Sequence, residues 1–165
     1  MESATAAGSA AERDAAAWVE VFTAGWRDPV DADTFCDHFE PWFQPDVKMV
    51  QPNVAPTVGI EAFREEFARP LFDLAPDLHG IVEGWSSAGD TVYIELRLEG
   101  TVGRREFVIH TCDRIKLRDG KAGERFAYLD PTPLITAVMR SPRVWPKFIR
   151  IQLRSRRRGK QGGRS

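Results

Sequence analysis

Cysteine, histidine and tyrosine are scarce in this 165-residue chain, at two, three and two copies. Cys36 and Cys112 lie far apart and outside any CxxC-type pair, which argues against a thiolate metal centre or a redox couple; reduced, buried thiols are expected instead. Long apolar runs are also missing. None approaches the roughly 20 residues that a membrane-spanning helix needs, so no such helix is expected. The opening MESATAAGSAAERDAAA has an early Glu2, no basic segment and no leucine-rich stretch. It lacks the pattern of a secretory signal, and a cytoplasmic protein is expected. GxSxG, P-loop and GxGxxG motifs are absent, leaving serine-hydrolase, nucleotide and dinucleotide chemistry without support. His110 and Cys112 share a strand face, yet two potential ligands without others make a poor metal site. Neither a metal nor a cofactor is expected.

What is present is an ordinary globular composition, 42% hydrophobic and 28% charged, in a length that suits one domain with tails. The net charge of −1 hides an asymmetry. Arg150, Arg154, Arg156, Arg157, Arg158, Lys160 and Arg164 form a basic end, and setting these seven aside leaves 16 basic residues against 24 acidic ones. An acidic body is a poor nucleic-acid surface, and no specific nucleic-acid partner is expected. The basic end follows the apolar Trp145, Phe148, Ile149, Ile151 and Leu153. A solubilising tail after a docked segment explains it, and contact with an anionic membrane or nucleic acid is the alternative.

Residues 1–10, rich in Ala, Ser and Gly, are expected to be a mobile tail, with the domain over 11–140, an apolar helical extension over 141–153 and a basic disordered tail over 154–165. Trp18, Phe22 and Trp26 recur every four residues and stack on one helical face. Asp31 or Asp33 can cap a second helix carrying Phe35, Phe39, Trp42 and Phe43, which Pro45 should stop. A short strand over 47–51 leads through a Pro-containing loop to a third helix that opens at Gly59, carries Ile60, Phe63 and Phe67, and ends or kinks at Pro70. From Leu78 the apolar period becomes two, predicting strands near 78–86, 91–99, 105–117 and 121–129 with Gly-containing turns. Helices followed by consecutive strands predict an α+β fold: a curved antiparallel or mixed sheet wrapped around three N-terminal helices as a cone, with a C-terminal helical extension.

This order of elements resembles the nuclear transport factor 2-like superfamily, and within it the SnoaL-like polyketide cyclase and ketosteroid isomerase-like group. The residues that carry the resemblance are Ala75-Pro76-Asp77-Leu78-His79, the run Cys112 to Lys121, and Glu124-Arg125-Phe126-Ala127-Tyr128-Leu129-Asp130-Pro131. It spans roughly Ala15 to Arg140. It implies a cone-shaped domain, a homodimer formed through the outer sheet face, and a cofactor-independent isomerase, cyclase, dehydratase or epoxide hydrolase, or else a ligand-binding or assembly module of the same fold.

Strand alternation puts Asp113 on the apolar face with Phe107, Ile109, Thr111, Ile115 and Leu117. Burial disfavours a lone charge, so Asp113 is a candidate for proton transfer near neutral pH; equally, it can pair with Arg125 or Arg97 and hold strands together. Tyr128 and Asp130 are candidates for a hydroxyl donor and a second carboxylate, with Asp130 also suited to capping the next helix. Glu95 and Arg97 belong to a charge ladder that is either solvated or turned inward. If it turns inward, Arg97, Glu99, Gln51 and Asn53 resemble the epoxide-hydrolase group, with Glu for Asp and Gln for Tyr. Trp18, Phe22, Trp26, Phe39, Trp42 and Phe63, with Gln51, Asn53 and Arg125, would line a pocket for a hydrophobic cyclic ligand.

Overall fold

The computed structural model describes residues 2–52 and 54–159, with side chains from residue 10 onward and, in the last helix, as far as Leu153 apart from residue 152. Helix α1 (Glu2–Arg27) leads into α2 (Ala32–Phe39), capped by Asp31, whose carboxylate accepts the Thr34 N–H at 2.7 Å. The α1 helix reaches back to Glu2, across the residues expected to form a mobile tail. Alanine, the strongest helix former, supplies four of those ten residues.

Strand β1 (Phe43–Val50) starts earlier than the sequence implies and contains Pro45. On its outer side β2 (Thr57–Val58) pairs with Lys48 and Met49, and the β6 register shifts between Phe43 and Lys48. Pro45 therefore sits in an irregular edge, where its missing N–H costs no ladder bond. Helix α3 (Ile60–Ala62) widens into a π-helical segment (Phe63–Ala68) and resumes as α4 (Arg69–Leu74). Pro70 thus falls in the first turn of α4, where a missing N–H is tolerated, rather than ending the helix.

Strands β3 (His79–Ala88), β4 (Thr91–Val102), β5 (Arg105–Arg118) and β6 (Lys121–Leu129) follow as antiparallel neighbours. The six strands run β2-β1-β6-β5-β4-β3 in a curved, unclosed sheet in which β1 and β6 are parallel. Helix α5 (Thr132–Met139) lies against β5 and β4, a short turn of 3-10 helix follows, and α6 (Trp145–Gly159) ends the described chain. The α+β cone is as the sequence predicts.

The inner face holds the core. Val92, Ile94, Leu96 and Leu98 of β4 and Phe107, Ile109, Ile115 and Leu117 of β5 are all buried there, beneath the aromatic faces of α1 and α2. Trp26 meets Phe35 edge-on at 4.7 Å between centroids, and Phe39 stacks on Phe43 at 5.6 Å. Arg64 binds α2 from outside through Asp33, Asp37 and Glu40 at 3.1, 2.6 and 3.3 Å. Among the described residues no helix is long and apolar enough to cross a membrane.

Candidate functional site

Asp113 is fully buried at the middle of β5, on the inner face that the period of two assigns it. The register sets Ala127 directly opposite it and Arg125 opposite Ile115, so Arg125 is its diagonal neighbour on the same face. Ala127 is small, which leaves the Arg125 side chain room to reach across. Arg125 Nε donates to Asp113 Oδ2 at 2.7 Å, and the Thr111 hydroxyl donates to Oδ1 at 3.0 Å. The guanidinium also lies over the Phe67 ring, 5.4 Å from its centroid. Of the two partners the sequence allows, Asp113 takes Arg125, and the result is a neutralised, hydrogen-bonded cluster rather than a lone acid.

In front of this cluster lies an aromatic cavity of about 20 Å³, room for one water, lined by Trp18, Phe22, Trp26, Phe39 and Phe63 together with Arg125. The sequence names all six. Phe35, Phe43 and Phe67, which the sequence carries among its helical aromatics, and Met49 and Ala122, which it does not single out, complete the wall. Phe35 and Phe67 are signalled by the same spacing that picks out Phe39 and Phe63, while Met49 and Ala122 reach the wall through the parallel β1–β6 pairing. Arg125 is the one charged group among the lining residues, and no carboxylate is among them. The Trp18 indole nitrogen is buried without a hydrogen-bond partner among the described residues, an unused donor on this wall.

The remaining candidates do not join the cluster. Leu96 pairs inward and Arg97 outward, so the β4 ladder faces away from Asp113, where Arg97 pairs with Glu83 at 3.0 Å and with Glu99. Glu95 and Tyr128 are exposed on that outer face, alongside the half-buried Cys112, which pairs with both positions in register. Asp130 stands one residue ahead of the Pro131 N-cap of α5 and accepts the Thr132 N–H at 2.9 Å; hydrogen bonds from the Thr132 side chain and N–H hold its carboxyl below the usual range. Trp42 stands outside, 38% exposed, because the chain turns through a 3-10 segment there and points it away from the core. Gln51 is half-buried just past β1 and does not line the cavity, and Asn53 lies outside the described residues. Among the described residues of the epoxide-hydrolase-like set, Arg97 and Glu99 pair with each other and neither they nor Gln51 line the cavity. Among the described residues, no group of three His, Cys, Asp or Glu side chains could hold a metal ion.

The SnoaL-like domain family matches residues 15–124. No curated protein matches the sequence. Solved structures share the fold at low identity. A candidate SnoaL-like polyketide cyclase from Jannaschia sp. CCS1 is 22% identical over 77% of this chain and 92% of its own, with a TM-score of 0.64. TerC, crystallised with polyporic acid, is 17% identical over 73% and 97%, with a TM-score of 0.63. An LEH-like epoxide hydrolase from M. tuberculosis is 14% identical over 81% and 95%, with a TM-score of 0.61.

Proposed function

Because the chain belongs to the SnoaL-like domain family, we propose that its cone takes up a hydrophobic cyclic molecule, of polyketide, terpenoid or steroid-like character, and acts on it through the Asp113–Arg125 pair. The observation that carries this reading is a buried ion pair whose cationic member lines an aromatic cavity. An aromatic wall with one convergent polar group suits a flat apolar ligand bearing an oxygen. That oxygen would accept from Arg125, with the unpartnered Trp18 N–H as a second donor.

As an enzyme, the site would run proton transfer next to a carbonyl. A C–H bond beside the carbonyl breaks, Asp113 takes the proton, and the electron pair moves onto the oxygen that Arg125 holds. Return of the proton at another carbon gives isomerisation; attack of the enolate carbon on a second carbonyl, with the Asp113 proton passed to the new alkoxide, gives ring closure. Asp113 would have to exchange its Arg125 bond for the substrate, and the aromatic side chains would have to part, since ligand pockets commonly measure about 300–1,000 Å³.

A second reading, binding without turnover, is favoured by the lack of any carboxylate on the cavity wall. A homodimer through the outer face of the sheet, where Tyr93, Val108 and Tyr128 stand exposed, accompanies either reading. The test is mass-spectrometric turnover by wild type and Asp113→Asn of those steroids, terpene epoxides, aromatic polyketides and fatty acids that bind. Product from wild type and none from a folded, ligand-binding Asp113→Asn supports catalysis. Binding with no product from either supports the carrier reading, and no binding of any class defeats both.

A further inference from the structure

Neither the aromatic cavity nor the Asp113–Arg125 pair involves α6. From Pro131 onward the sequence has ten cationic residues and no acidic one, while residues 1–130 carry 13 basic residues against 24 acidic ones. The charge is segregated to one end of the chain. At its start α6 is fastened to the body: Phe148 packs against the core, Trp145 Nε1 donates to the Val138 carbonyl at 3.0 Å, and Lys147 binds the Asp73 carbonyl and lies 3.7 Å from its carboxylate. What stays outside is an apolar stripe. Trp145, Ile149 and Leu153, spaced by four, are 41%, 53% and 52% exposed, and Met139, next to the carbonyl that Trp145 binds, is 59% exposed.

Cations flank this stripe along the sequence. Arg150 is exposed on α6, and Arg154, Arg156, Arg157 and Arg158 follow on the same helix. The β4–β5 turn at Gly103 abuts Ser141 and Val144, and next to it Arg104, Arg105 and Arg140 line an open groove of about 600 Å³ that also contains Glu106 and Asp130. None of these three arginines forms an ion pair among the described residues.

We propose that α6 rests on an anionic lipid surface, with Trp145, Ile149 and Leu153 in the acyl boundary and the arginines on headgroup phosphates. A basic helix with an aromatic and aliphatic stripe and a strongly polar remainder is the form that lies in the membrane interface, and each cation there adds to the attraction. Lipid fits better than nucleic acid. Phosphodiester contacts would neutralise the arginines but leave the apolar stripe in water.

The test uses the full chain and sedimentation with phosphatidylcholine vesicles, with and without phosphatidylglycerol. Wild type is expected to bind the anionic vesicles about tenfold more tightly than the neutral ones, and to lose that preference in high salt. Ile149→Ser with Leu153→Ser should weaken binding by about tenfold, and Arg154→Gln with Arg156→Gln should erode the lipid preference. Both pairs occupy exposed or terminal positions, and circular dichroism would verify the fold. The proposal is overturned if wild type ignores vesicles, binds both kinds equally, or keeps its binding after the Ile149 and Leu153 changes. It is likewise overturned if duplex oligonucleotide is bound while vesicles are ignored, or if the stripe proves to be covered by a second copy, as a dimer mass that the same substitutions reduce to monomer.

Discussion

The Asp113–Arg125 pair invites the sharpest perturbation. Both side chains are almost wholly buried, at 0% and 8% exposure, and their contact is 2.7 Å. Removing one partner strands the other charge in the core, a loss of about 3–5 kcal/mol. Asp113→Ala should therefore lower the melting temperature by about 6–20 °C, given that 1 kcal/mol moves a domain of this size by about 2–4 °C. Replacing both partners with apolar groups of similar volume, Asp113→Leu with Arg125→Met, should cost far less, or even stabilise by about 1–4 kcal/mol, because both desolvated charges disappear together. Urea unfolding of wild type, Asp113→Leu, Arg125→Met and the double variant measures the coupling directly. If Asp113→Ala costs less than about 1 kcal/mol, or if the single losses simply add in the double variant, the pair is not the coupled buried unit argued here.

Three further outcomes follow from local geometry. In α1, Gly25→Ala would gain about 0.8–1 kcal/mol of helix propensity. Its new Cβ, however, would stand 2.5 Å from Phe39 Cζ and 2.6 Å from His38 Cδ2. Overpacking of about 1–3 kcal/mol wins, and the urea midpoint should fall, whereas a rise would show that the Phe39 ring yields freely. Burial pushes the Cys36 thiol up to about 12. A chromogenic disulfide at pH 8 should therefore label the half-buried Cys112 first, leaving Cys36 unreacted until unfolding; fast reaction at Cys36 would contradict its burial. Asp130, depressed by hydrogen bonds from the Thr132 side chain and N–H, contributes stability that is complete above the ordinary carboxylate range and is lost as the pH falls through its folded value. The melting-temperature gap between wild type and Asp130→Ala should be full at pH 7 and shrink below about pH 4, and a gap that instead widens in acid would reverse the sign.

Much of this arrangement can be read from spacing. The period of two in β5 is enough to put Asp113 inside, and Trp18, Phe22 and Trp26 at intervals of four are enough to make α1 the aromatic wall. The partner of Asp113 is not legible in this way, because it depends on which faces of β4 and β6 turn inward. Only the register, with Arg97 opposite the outward His110 and Arg125 opposite the inward Ile115, separates them. The early start of β1 depends on the parallel pairing with β6, a long-range contact that the local pattern around Pro45 argues against. The widened turn over Phe63–Ala68 is hidden for a related reason: Phe63 and Phe67 are four residues apart and face inward in either an α or a π segment. Tyr128 and Asp130 share a period with Glu124 and Phe126, but which face of β6 is inner is fixed by Arg125 and Ala127, whose small and charged side chains carry no hydrophobic signal.

A hydrophobic cyclic ligand that enters the aromatic cavity would meet Arg125. Thermal-shift titration of wild type and Arg125→Lys with steroids, aromatic polyketides, terpene epoxides and fatty acids tests it most directly. Lysine keeps the positive charge beside Asp113 but loses the planar guanidinium with its fork of N–H donors. The account predicts that at least one oxygenated cyclic compound raises the wild-type melting temperature in a saturable way, and that folded Arg125→Lys binds that compound about tenfold more weakly. Equal binding by the two proteins, or a ligand whose affinity survives Arg125→Lys and changes only with substitutions on the outer sheet face, would contradict it.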